Sequence, residues 1–125
     1  MAILQKERKQ SQEKLTTNQR RLLIKNDNFA VQEAYKTLRT NVRFCLQGTG
    51  CKRICITSAM SGEGKSITFL NLAISIAEAG QKVLLIDADL RRPAVARLTG
   101  KMATPGLSNV LAGLVKAEEA IRKEI

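Results

Sequence analysis

The sequence predicts an α/β fold: a parallel sheet with helices packed on its faces. Three observations carry that prediction. Two short apolar runs, Ile54–Thr57 and Val83–Ile86, have the composition of buried strands. A helical period fills the interval between them, from Ile67 to Ala77. A polar turn bearing two glycines, Ser58-Ala-Met-Ser-Gly-Glu-Gly-Lys-Ser66, joins the first run to that helix.

Length and composition bound the answer. The chain has 125 residues, the size of one domain, and is 44% hydrophobic and 26% charged, so it can form a core. A parallel sheet needs several strands covered on both faces. Only two convincing strands are legible, so the sheet is expected to be incomplete in this chain.

The formal net charge is +10, with no histidine. Such an excess suits polyphosphate, acidic lipid, nucleic acid or an acidic protein. Aromatic residues make up only 3%, which leaves little to stack on bases and disfavours a nucleic-acid partner. Cys45, Cys51 and Cys55 show no CxxC spacing and have no histidine to join them, which argues against zinc. An odd thiol count with no secretory signal fits a reducing cytosol. No stretch approaches the roughly 20 apolar residues of a membrane span, so any membrane association is expected to be peripheral.

Along the chain, residues 1–27 read as a flexible basic arm. Lys6, Arg8, Lys9, Lys14, Arg20, Arg21 and Lys25 outnumber Glu7, Glu13 and Asp27. Leu22-Leu23-Ile24 near its end could pack as a short strand or an anchor. The folded domain is expected over residues 28–125. Asp27 and Asn28 are candidate caps for a helix from Phe29 to about Leu46. Val31, Tyr35, Leu38 and Val42 share one face of it, with Lys36, Arg39 and Arg43 along an adjacent edge. Gly48-Thr-Gly50 makes the following turn.

The helix after the polar turn is apolar most of the way round. It should therefore be largely buried, ending at Gly80. Val83–Ile86 leads to Asp87-Ala-Asp-Leu-Arg-Arg-Pro93. Beyond that lie a short helical stretch to Leu98, a loop at Thr104-Pro-Gly106, and helical patterns over Leu107–Leu114 and Glu118–Ile125.

Strand, turn, helix and strand make one crossover unit. In open parallel sheets the chemistry sits beyond the carboxyl ends of the strands. The polar turn ends the first strand, and Asp87 and Asp89 end the second. Ser58–Ser66 fits the phosphate-cradling pattern G-x-x-x-x-G-K-[ST], with Ala59 in the place of its first glycine. Read alone, it could be a polar turn that happens to contain Gly-Lys-Ser. As a phosphate cradle, Ser61, Gly62, Glu63, Gly64, Lys65, Ser66 and Ile67 would bind ATP through backbone N–H groups and the helix N-terminus. Lys65 would reach the β- and γ-phosphates, and the Ser66 hydroxyl would ligate Mg²⁺. One of Asp87 and Asp89 could hold Mg²⁺ while the other orients an attacking hydroxyl. Arg91 and Arg92 could stabilise charge on the transferring group. The competing reading makes both acids surface residues that cap the next helix.

With both motifs in view, the chain resembles the bacterial tyrosine kinases of capsular and exopolysaccharide synthesis. The resemblance runs from about Glu33 to Ile121 and includes Pro105-Gly-Leu-Ser-Asn-Val-Leu-Ala-Gly113. It implies a P-loop NTPase-like sheet with flanking helices and Mg-ATP-dependent, autophosphorylating transfer to protein tyrosine. Lys65, Asp87, Asp89 and Arg91 would be the catalytic residues, and Ser66, Asp87 and Asp89 the metal ligands. It implies a cytoplasmic protein at the inner face of the plasma membrane, with a membrane-embedded activator of polysaccharide export as partner.

Glu33, Lys36 and Arg39 match the family's Glu-x-x-Arg-x-x-Arg helix, which joins subunits into a ring. Lys36 stands where the family has arginine, and so lacks the bidentate fork. The related partition-type ATPases carry a signature lysine early in the loop. Ala59-Met60 counts against them, although a positioning ATPase without kinase activity remains the alternative. A third nucleotide motif and a closing tyrosine cluster would be expected beyond residue 125. Tyr35, the one tyrosine here, lies on the apolar helix face and reads as a packing residue.

Overall fold

The computed structural model describes Thr17, residues 19–23 and residues 28–123. Most of the expected basic arm, Ile24 and the candidate cap Asp27 lie outside the described residues. Among the described residues the helices α1 (Phe29–Cys45), α2 (Lys65–Glu78), α3 (Val95–Thr99), α4 (Leu107–Leu111) and α5 (Ala117–Ala120) follow one another. The chain divides into two compact units, one ending at Val83 and the other beginning at Leu84.

In the first unit, α1 packs on α2. Asn28 caps α1 as expected, its Oδ1 accepting the Val31 N–H at 3.3 Å. Beyond its end, Lys52 Nζ donates to the Gln47 and Gly48 carbonyls at 2.8 and 2.5 Å. The predicted apolar face of α1 is only partly covered. Val31, Tyr35 and Val42 are half-buried, Leu38 is exposed, and no residue of the helix is fully buried.

α2 is the centre of this unit, as its composition predicts. Leu70, Asn71, Leu72, Ile74 and Ser75 are all buried. Leu22 and Leu23 are buried in the same unit, so the Leu22-Leu23 patch is an anchor. Burial of the two leucines favours docking by about 1.5–3 kcal/mol each, before the entropy of ordering them. Asn71 secures their backbone: its Oδ1 accepts the Leu23 N–H and its Nδ2 donates to the Arg21 carbonyl, both at 2.9 Å.

The two expected strands are not formed among the described residues. Ile54 is exposed, and so are Val83, Leu84 and Ile86, which were expected to be buried on both faces. The reason is physical. A helix closes its hydrogen bonds within its own segment, whereas a strand exists only through a ladder to a neighbour. Apolar composition alone supplies no such neighbour.

In the second unit, Leu98 of α3 is buried, and α4 packs against α5. α4 is shorter than the expected Leu107–Leu114: its last turn closes through Gly113 N–H to Val110 and Leu114 N–H to Asn109, at 3.0 and 2.9 Å. The helix expected over Glu118–Ile125 stops at Ala120, because Ile121 turns extended. Arg122 then reaches back, donating to the carbonyls of Glu119, Thr104 and Pro105 at 2.9, 3.1 and 3.3 Å.

Candidate functional site

The polar turn and the start of α2 form one local structure in the first unit. Gly64 is the N-cap of α2, with φ +89°, and Gly62 has φ +92°. Both conformations lie in the left-handed region that side chains with a Cβ rarely adopt. Nothing lies within 4 Å of a Cβ built at either position, so backbone conformation rather than space calls for glycine there.

Lys65 and Ser66 are the first two residues of α2, and both are half-buried. The first intrahelical bond runs from Thr68 N–H to the Gly64 carbonyl at 3.0 Å. No acidic residue lies in the first turn, so the positive end of the helix dipole is not offset there. Ser61, Gly62, Glu63 and Gly64 are exposed, while Ile67 is half-buried. A hydroxyl, a cation and helix-terminal N–H groups gathered at one point suit a phosphate and its hard cation.

The turn is also organised by its own side chains. The Ser58 hydroxyl donates to the Met60 carbonyl at 3.0 Å, and Glu63 Oε2 accepts the Met60 N–H at 3.1 Å. The Glu63 contact was not legible from the motif, which specifies glycines, lysine and serine but leaves this position open.

The acids form a second local structure, in the second unit. Asp87 Oδ1 accepts the Asp89 N–H at 3.1 Å. Asp87 Oδ2 accepts the Ala94 and Val95 N–H groups at 2.8 and 3.0 Å, at the start of α3. Asp89 Oδ1 accepts the Arg92 N–H at 3.0 Å. Both acids are half-buried, and Arg91 and Arg92 are exposed. Asp87 thus holds the backbone at the start of α3. Its orientation is fixed by three backbone donors. Among the described residues, no group of three or more His, Cys, Asp or Glu could hold a metal without other ligands.

The helix edge expected to join subunits is engaged within the chain. Lys36 Nζ pairs with Glu33 Oε1 at 2.7 Å, one turn apart. Arg39 Nη1 donates to the Ser75 carbonyl at 2.6 Å and to Ser75 Oγ at 3.3 Å. No helix among the described residues is long and apolar enough to cross a membrane.

Residues 54–120, which hold both motifs, match CbiA, the CobQ/CobB/MinD/ParA nucleotide binding domain. The chain belongs to this family. Membership implies the α/β fold predicted from the sequence, although no strand is formed among the described residues. Within the CobQ/CobB/MinD/ParA family, this member is similar to proteins named as tyrosine kinases. It is 47% identical over 90 residues to the tyrosine-protein kinase YwqD of Bacillus subtilis (strain 168), an overlap covering 72% of this chain and 38% of YwqD. It is 44% identical over 85 residues to the tyrosine-protein kinase CpsD of Streptococcus agalactiae, covering 66% of this chain and 35% of CpsD. The matched part is thus well under half the length of either relative. No solved structure matches the chain significantly.

Proposed function

We propose that this nucleotide-binding domain is part of a Mg-ATP-dependent protein-tyrosine kinase acting in capsular or exopolysaccharide synthesis. The observation that carries the reading is the 47% identity to a tyrosine-protein kinase over 90 residues. The left-handed glycines ahead of Lys65 and Ser66 support it, because they give the turn the backbone that a phosphate cradle uses.

On this reading ATP supplies the phosphoryl group. The N–H groups from Ser61 to Ile67 and the Lys65 ammonium hold its phosphates. Ser66, Asp87 and Asp89 serve Mg²⁺, the acids also orienting the tyrosine hydroxyl, and Arg91 offsets charge on the transferring group. Glu33, Lys36 and Arg39 belong to a subunit contact in a ring, and a membrane-embedded protein of polysaccharide export is the activator. The protein then works in the cytoplasm at the inner face of the plasma membrane.

Labelled ATP with Mg²⁺ tests the reading. Phosphotyrosine should form on this chain or on an added tyrosine-bearing protein, and Lys65→Met should abolish it. Equal labelling by the Lys65→Met variant would refute the assignment. A positioning ATPase is the second reading, favoured by the MinD and ParA members named with the matching domain. It predicts ATP hydrolysis that depends on Lys65 with no phosphotyrosine at any stage.

A further inference from the structure

Glu63 sits between the two left-handed glycines of the phosphate-type turn, at the residue just before the N-cap of α2. Its side chain folds back so that Oε2 accepts the Met60 N–H at 3.1 Å. A carboxylate thus occupies a backbone donor of the same turn whose neighbouring N–H groups are assigned to phosphate. We propose that the Glu63 carboxylate is a built-in anionic occupant of the turn, which opposes phosphate entry and sets the affinity for nucleotide. The proposal rests on the nucleotide reading above and deepens it.

The physical basis is charge and competition. A carboxylate and an entering phosphate repel, and Glu63 already holds the Met60 N–H, the donor next to those assigned to phosphate. The turn has a cation at Lys65, and α2 has no acid in its first turn. Glu63 is therefore the one acid of the Ser58–Ser66 stretch. Because Glu63 is exposed, removing it leaves no cavity and its variants should fold.

Glutamine separates this role from a purely structural one. Glu63→Gln keeps a carbonyl oxygen for the Met60 N–H and removes the charge, while Glu63→Ala removes both. Titration of Mg-ADP and of inorganic pyrophosphate into the chain and its two variants is the test. Both variants should bind about three- to tenfold tighter than the parent, and the gain should shrink as salt is raised. If Gln matches the parent and Ala binds more weakly, the carboxylate is only a strut for the turn and the proposal is wrong. Equal binding by all three, or weaker binding by both variants, also overturns it. Absence of binding in all three forms refutes the nucleotide reading, and the proposal with it.

Discussion

Asn71 accepts the Leu23 N–H at 2.9 Å across 48 residues of sequence, and the same carboxamide donates to the Arg21 carbonyl. Asn71 is 1% exposed; its bond to the Leu23 N–H is buried, and its bond to the carbonyl of the exposed Arg21 is part-buried. A primary amide can meet a donor and an acceptor of one backbone segment at once, as a neighbouring strand would. The helix that begins at Lys65 therefore holds the chain that precedes α1.

Asn71→Ala should destabilise the chain by about 1–3 kcal/mol, because it strands the buried Leu23 N–H and removes the part-buried bond to Arg21. Asn71→Asp should also destabilise, since it loses the donor to Arg21 and places a charge in a buried site. Chemical denaturation read by circular dichroism checks both. A loss below about 0.5 kcal/mol for the alanine variant would show that the clasp contributes little.

Arg39 and Lys36 belong to one sequence motif yet should behave differently. Arg39 reaches the Ser75 carbonyl near the end of α2, where Ala79 N–H instead bonds Ile76. A cation there also meets the negative end of the helix dipole. Arg39→Ala should cost about 1–2 kcal/mol. Lys36 makes a half-exposed pair with Glu33, so Lys36→Ala should change stability by less than about 0.5 kcal/mol. Paired melting and sedimentation measurements separate the roles. A change in assembly size for Lys36→Ala at unchanged stability would assign that residue to the subunit contact.

The helices were legible because their signals are local. The Asn28 cap, the period of α1 and the apolar run of α2 each lie within a few residues of what they determine. The polar turn was legible for the same reason, down to Gly62. The partners of Asn71 and Ser75 were not, because they come from 36 to 50 residues away. The surviving hint was two polar residues, Asn71 and Ser75, four apart within the otherwise apolar run of residues 69–77. Val83–Ile86 failed for the opposite reason: its composition is that of a buried strand, but burial is supplied by neighbours the run does not encode. Asp87 carries two readings at once, and its bonds to Asp89, Ala94 and Val95 give it a structural part that the motif did not show.

Those bonds bear on how an Asp87 variant is interpreted. Asp87→Ala removes the acceptor of the Ala94, Val95 and Asp89 N–H groups together. It should cost about 1–3 kcal/mol through these lost bonds alone, whether or not Mg-ATP is present. Lost phosphotransfer in that variant would therefore not establish a metal or catalytic role. The check is the melting shift without nucleotide. An unchanged melt with lost activity would instead assign Asp87 to the chemistry.

Gly64 and Gly106 need glycine for different reasons, and alanine should expose the difference. At Gly64 the φ of +89° is the constraint and no atom lies within 4 Å of a built Cβ. Gly64→Ala should cost about 1 kcal/mol by strain, and weaken nucleotide binding because the turn relaxes from its left-handed form. At Gly106 the φ of −134° suits any residue, but a Cβ would stand 2.7 Å from the Ala103 carbonyl oxygen. The Gly106 N–H is also held by Asn109 Oδ1 at 2.9 Å, so the backbone has little room to retreat. Gly106→Ala should thus cost about 1–3 kcal/mol through overpacking. Denaturation and Mg-ADP titration on the two variants provide the check. The affinity loss should appear in Gly64→Ala and be absent from Gly106→Ala under conditions where both are folded. The reverse pattern would place the phosphate-holding backbone outside the turn.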